Sequence, residues 1–290
     1  MNATGQRLAA VQVDGMKSID RAYGPLSIAI AAVVMRYATP DKYGILRLTV
    51  PARALILNEV GRLLDETRGK LLPVILASVQ AARDAAQEDT EPIPLPFGEG
   101  LDEISTVSQA LTTDRQSVLD QTGALLAVGI AAKMAASQIA RNVRQYYSPW
   151  FSQYRDASGK VLHATVNISV QGKVVRTERL GAVQHWPGKA GMASQHPRTV
   201  MLTETTRAHG ETMIQRAERE GLGLVWNLSS AHAKTDVCDG KAKADTGYGR
   251  GVYRPSEVPE IPTHPRCRCF LSVVRLKDIP TESTPPSDGS

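Results

Sequence analysis

Cys238, Cys267 and Cys269 are the only cysteines in this 290-residue chain, and all three fall in one segment, residues 228–270, LSSAHAKTDVCDGKAKADTGYGRGVYRPSEVPEIPTHPRCRCF. His232 and His264, two of the six histidines, lie in the same segment. Three thiolates and an imidazole form the tetrahedral, borderline-soft shell that Zn²⁺ accepts. His264-Pro265-Arg266-Cys267-Arg268-Cys269 brings one imidazole and two thiols together, and Cys267 and Cys269 would share a face of an extended strand. Cys238 supplies the third sulfur, and either His264 or His232 the nitrogen. Asp236 and Asp239 flank Cys238 as outer acceptors or as oxygen ligands. The rest of the segment is rich in Gly, Pro, Asp, Lys and Arg, with few apolar side chains to bury. A bound metal is an economical way for it to hold a shape. Without one, the thiols would serve as small buried hydrophobes. Arg266 and Arg268 are expected to lower the thiol pKa values, or to contact phosphate.

The rest of the chain must position this cluster. Its apolar fraction of 42% and charged fraction of 22% are those of an ordinary globular protein. The length allows two modest domains or one large one. The net charge of +5, with a pI near 9.1, is too mild to signal nucleic-acid binding by itself. No secretory signal is evident at the N-terminus. The most apolar run, residues 25–35, is shorter than the roughly 20 residues needed to span a bilayer, so no membrane association is expected. An odd number of clustered cysteines points to a reducing compartment rather than to a disulfide framework.

Residues 1–20 are polar and weakly patterned, and they read as an arm. Helical sequence begins near Tyr23, with Pro25 in its first turn, and stops before Thr39-Pro40-Asp41. A second helix is expected over 51–87, kinked at Pro73, and the Pro- and Gly-rich residues 89–100 read as a connector. Residues 102–147 read as one helical region with Leu119, Leu126, Ile130 and Met134 on one face. Residues 1–148 therefore form a domain of long antiparallel helices.

Alternation of β-branched residues after Trp150 predicts a hairpin over 161–180 turning at Gln171-Gly172. A loop over 181–198 precedes a helix over 198–220 that Gly221 ends. Strands follow at 222–230, carrying Trp226, and at 270–276. His163, His185 and His196 read as surface or packing residues, and residues 277–290 have the composition of a disordered tail. The fold class is α+β: an N-terminal long-helix domain, then a small α+β domain over 149–276 with a metal-stabilised Cys/His loop.

One ordered series of residues carries a family resemblance. It runs from Thr203-Glu204-Thr205-Thr206-Arg207 through Gly221, Trp226, Ser229-Ser230-Ala231-His232 and Asp236-Val237-Cys238-Asp239. It continues through Gly251-Val252-Tyr253 and Val258-Pro259 to Pro262-Thr263-His264-Pro265-Arg266-Cys267-Arg268-Cys269. Over about residues 190–275 the chain resembles the phage Mu F-like minor head proteins of tailed phages. It departs from that pattern at Leu202, where members often carry Arg, and at Asp239 and Lys241, where many carry a second cysteine. The second departure shifts the fourth ligand onto His264 or His232. The resemblance implies a virion component assembled in the host cytoplasm and found at the portal vertex and inner capsid. Its partners would be the portal protein, the major capsid protein and phage DNA, with several copies per particle.

Two other functions compete. A metal-dependent nuclease or other hydrolase would need an open coordination position and a base, for which Asp236, Asp239 or Glu257 are available. However, the HExxH, GxxxxGK[ST] and G-x-S-x-G motifs are absent. A DNA-binding module could use Arg250, Arg254, Arg266, Arg268 and Arg275. Without interleaved aromatics these read as a solvated basic face. The expectation is therefore a structural protein without catalytic residues.

Overall fold

The computed structural model describes residues 3–87, 99–148, 165–170, 173–179, 192–230, 232 and 235–276. The fold is α+β and mostly helical, with small antiparallel sheets and the Cys/His cluster in the C-terminal part. The chain forms two compact units that are interleaved in sequence, whereas the division expected at residue 148 is contiguous. One unit comprises Met1–Val13, Ala77–Pro96 and Met201–Ser290, and the other Asp14–Leu76 and Phe97–Val200.

Long helices dominate the second of these units. Helix α1 spans Ala3–Arg36, so residues 3–20 are helical and not an arm. The signal for this is an apolar spacing diluted by polar residues. Leu8 and Ile19 are 1% and 0% exposed, and the polar Gln12 is 3% exposed. Pro25 lies inside α1 rather than in its first turn. By length and composition α1 is apolar enough to cross a membrane. Here its Tyr23, Leu26, Ile30 and Val34 are buried, the environment of a core helix. A short hairpin of β1 (Thr39–Pro40) and β2 (Leu46–Arg47) follows, and Asp41 ties its turn by accepting from the backbone N–H groups of Tyr43 and Ile45.

Helix α2 (Val50–Gln87) runs through Pro73 as one element and buries Ile56, Val60, Leu64, Leu71 and Ile75 at helical spacing. The helix expected over 102–147 is two: α3 (Glu99–Ala131) and α4 (Ala136–Tyr147). Lys133 takes a left-handed conformation (φ 52°), while Met134 N–H bonds Gly129 O and Lys133 N–H bonds Ile130 O. That is a Schellman ending, with lysine where glycine usually sits. Leu126 and Met134 are buried, Leu119 and Ile130 half-buried. The chain then forms an antiparallel hairpin of β3 (Thr165–Val170) and β4 (Lys173–Arg179), with an irregular register between Ile168 and Ser169. His163, His185 and the tail 277–290 lie outside the described residues.

The other unit carries the cysteines. Helix α5 (Gln195–Glu220) starts earlier than expected, so His196 lies in its first turn and not in a loop. It ends at Gly221 (φ 64°), with Leu222 N–H on Ala217 O. Strand β5 (Gly223–Asn227) is the centre of a three-stranded antiparallel sheet, between β6 (Val252–Tyr253) and β7 (Phe270–Val274). A seven-residue helix, α6 (Val237–Lys243), lies within the cysteine segment. The core of this unit joins Met213, Leu224, Trp226, Ile261 and Leu271 to all three cysteines. The thiols are therefore part of the apolar core as well as a donor cluster.

Candidate metal centre

Each thiol reaches the cluster on a different support. Cys238 sits in the first turn of α6, whose start is fixed by a capping box. The Asp236 carboxylate accepts from Cys238 N–H at 2.7 Å, and the Asp239 carboxylate accepts from Asp236 N–H at 2.9 Å. The D-x-x-D spacing was the signal for this helix, and the glycine-rich surroundings obscured it. Cys267 follows a tight turn in which its N–H bonds His264 O at 3.1 Å and Arg266 is left-handed (φ 65°). Cys269 directly precedes β7.

The loop carrying Cys267 is held from behind by α5. Thr206 Oγ1 donates to Cys267 O at 2.7 Å, and Gln12 Nε2 of α1 donates to Thr206 Oγ1 at 3.1 Å, all buried. Arg266 N–H donates to Thr203 Oγ1 at 3.2 Å. Glu204 is buried and paired with Arg207. Thr203 and Thr206, residues that weaken a helix by propensity, are thus the residues that fasten the loop.

The sulfurs of Cys238, Cys267 and Cys269 lie within 4.8 Å of one another, and the three residues are at most 1% exposed. The separation of Cys238 Sγ and Cys267 Sγ is 3.7 Å. The two histidines approach different sulfurs. His264 Nε2 lies 3.5 Å from Cys238 Sγ, and His232 Nδ1 lies 4.0 Å from Cys269 Sγ. His232 Nε2 is 2.8 Å from Asp239 Oδ2 and 3.8 Å from Asp236 Oδ1. His264 Nε2 is 3.2 Å from Asp236 Oδ2, and His264 Nδ1 faces Pro265 O at 3.0 Å. All five residues expected from the sequence are therefore gathered, with both flanking aspartates behind the imidazoles. The buried Cys238/Cys267/Cys269 cluster with a neighbouring histidine can hold a metal ion.

The electrostatics suit a cation. The Cys267 thiol is lowered to about 5, chiefly because the Cys269 thiol donates to its sulfur, against the cost of burial. Cys269 is raised, first by that same hydrogen bond and then by burial. Burial pushes Cys238 up to about 12. The cluster thus favours one thiolate and keeps two protons, which a bound cation would displace. Arg266 and Arg268, expected to acidify the thiols, are not among the causes. Arg266 is exposed, and burial lowers the pKa of Arg268 itself. The Asp239 hydrogen bond raises His232, and the Cys238 N–H lowers Asp236.

His209 is a residue that the sequence reading passed over. It lies in α5 at 0% exposure, neither ring nitrogen has a hydrogen-bond partner among the described residues, and burial lowers its pKa to about 4. Comparison with known protein families, with characterised proteins and with solved structures finds no match to this chain.

Proposed function

We propose that the chain is a minor head protein of a tailed phage, a structural component of the virion that associates with the portal and the inner capsid. The observation that carries this reading is the contact among residues separated in the series that suggests the family. Thr203 and Thr206 of the TETTR run bond directly to the HPRCRC loop, and the Trp226 strand pairs with the strand that follows it. A series of residues so linked behaves as one domain rather than a scatter of coincidences. In this reading the long helices of the chain supply surface for portal and capsid protein, and the mild positive charge tolerates a DNA-filled interior.

The metal in this reading is a structural Zn²⁺. A tetrahedron with Zn–S bonds of about 2.3 Å has S···S edges of about 3.8 Å, and Cys238 and Cys267 stand at 3.7 Å. Three thiolates and one imidazole close the shell, with no position left for substrate. The test is the protein content of purified particles: the chain should cofractionate with portal protein, in far fewer copies than the major capsid protein. Its absence from particles refutes the reading. Metal analysis of the purified chain should give about one zinc. Metal-dependent cleavage of DNA that disappears on replacing His232 would favour the hydrolase instead.

A further inference from the structure

The cluster offers two imidazoles for one coordination position, and the hydrogen bonds separate them. We propose that His232, through Nδ1 and with Asp239 behind it, completes the metal shell formed by Cys238, Cys267 and Cys269, while His264 stays outside it. The proposal rests on the zinc reading above and assigns its fourth ligand.

Both nitrogens of His264 face oxygen acceptors. Nδ1 faces the Pro265 carbonyl at 3.0 Å, and Nε2 faces the Asp236 carboxylate at 3.2 Å. The Nδ1 contact is compatible with a ligating Nε2, but the Asp236 carboxylate competes for Nε2, and a metal there must displace that contact. The close approach of His264 Nε2 to Cys238 Sγ, 3.5 Å, then reads as an N–H directed at a sulfur. His232 is arranged differently. Its Nε2 lies 2.8 Å from Asp239 Oδ2, so that nitrogen donates, and Nδ1 keeps its lone pair toward Cys269 Sγ. Carboxylate, imidazole and metal in that order is the usual way a ligating histidine is oriented and made more basic. Exposure agrees: the His232 side chain is 12% exposed and that of His264 35%, and a closed structural shell draws on the buried one.

The distance from His232 Nδ1 to Cys269 Sγ, 4.0 Å, exceeds the roughly 3.5 Å expected between sulfur and nitrogen on one zinc. No nitrogen of His232 lies within 4.8 Å of all three sulfurs, so the ring must move inward by more than an ångström on binding. Its neighbours Asp236 and Asp239 are tied to each other and to the start of α6, so the ring is guided as it moves.

The two histidines would ligate through different atoms, and this decides the matter without mutation. Long-range ¹H–¹⁵N spectra of the zinc-loaded full-length chain should show His232 metal-bound at Nδ1 and protonated at Nε2, and His264 free of metal. Metal bound at Nε2 of His264 overturns the proposal. Zinc affinity measured by chelator competition gives a second readout. Asp239→Asn should weaken the affinity about 10- to 100-fold, His232→Ala should weaken it further, and His264→Ala, which removes only an N–H directed at the Cys238 sulfur, should cost less than Asp239→Asn. If His264→Ala costs as much as His232→Ala, the proposal fails while the zinc reading stands. If the unaltered chain binds no zinc, the zinc reading itself fails.

Discussion

Thr206→Val removes one hydroxyl and changes almost nothing else. The side chains have nearly the same shape, the site is 0% exposed, and both residues are β-branched with similar helix propensity. What is lost is the donor to Cys267 O at 2.7 Å and the acceptor for Gln12 Nε2 at 3.1 Å. A buried carbonyl left without its donor costs about 1–3 kcal/mol, so a loss near 2 kcal/mol, about 30-fold in the folding constant, is expected. The stranded Gln12 amide, 3% exposed, works in the same direction. The assay is denaturant unfolding followed by far-ultraviolet circular dichroism. The midpoint should fall while the slope stays the same, since the exposed area hardly changes. Thr112→Val is the control. Among the described residues that hydroxyl bonds only Ser108 O of its own helix, and it is exposed, so its loss should stay within about 0.5 kcal/mol. If Thr206→Val is as mild as Thr112→Val, the α5 threonines do not fasten the Cys267 loop.

Two more perturbations probe the same unit. His209 has a pKa of about 4 in the fold against an ordinary 6.5. The unfolded chain therefore binds a proton that the folded chain refuses as pH falls through that interval. Its contribution is fully present above pH 6.5 and is lost progressively toward pH 4, by about 3 kcal/mol at most. The stability difference between the native chain and His209→Leu should follow that slope, and a difference independent of pH between 7 and 4 would refute it. Gly251→Ala places a side chain at φ 70° with its Cβ 2.7 Å from the Ala242 carbonyl oxygen. The backbone conformation alone costs about 1–3 kcal/mol, and the overlap adds to it, so the melting temperature should drop by several degrees. An unchanged melting temperature would contradict the geometry at the junction of β5, α6 and β6.

The α+β class, the long helices and the donors of the cluster were legible in the sequence because each depends on local pattern. Apolar residues at helical spacing mark α2, Gly221 marks the end of α5, and cysteines are too rare here for their crowding to escape notice. The ending of α3 was not legible, because Ala132-Lys133-Met134-Ala135 contains neither Gly nor Pro. There a lysine bears the left-handed conformation that glycine usually takes. The helical start of α1 was hidden because polar residues such as Gln12 are buried by partners nearly two hundred positions away. Composition had suggested that the cysteine segment lacks a core, yet its thiols join Trp226 and Leu271 in one. The residue types of a metal shell are thus a property of the sequence. Which imidazole faces the sulfurs with a lone pair is not, because Asp239, Asp236 and the Pro265 carbonyl decide it, and only the folded chain sets where those oxygens stand.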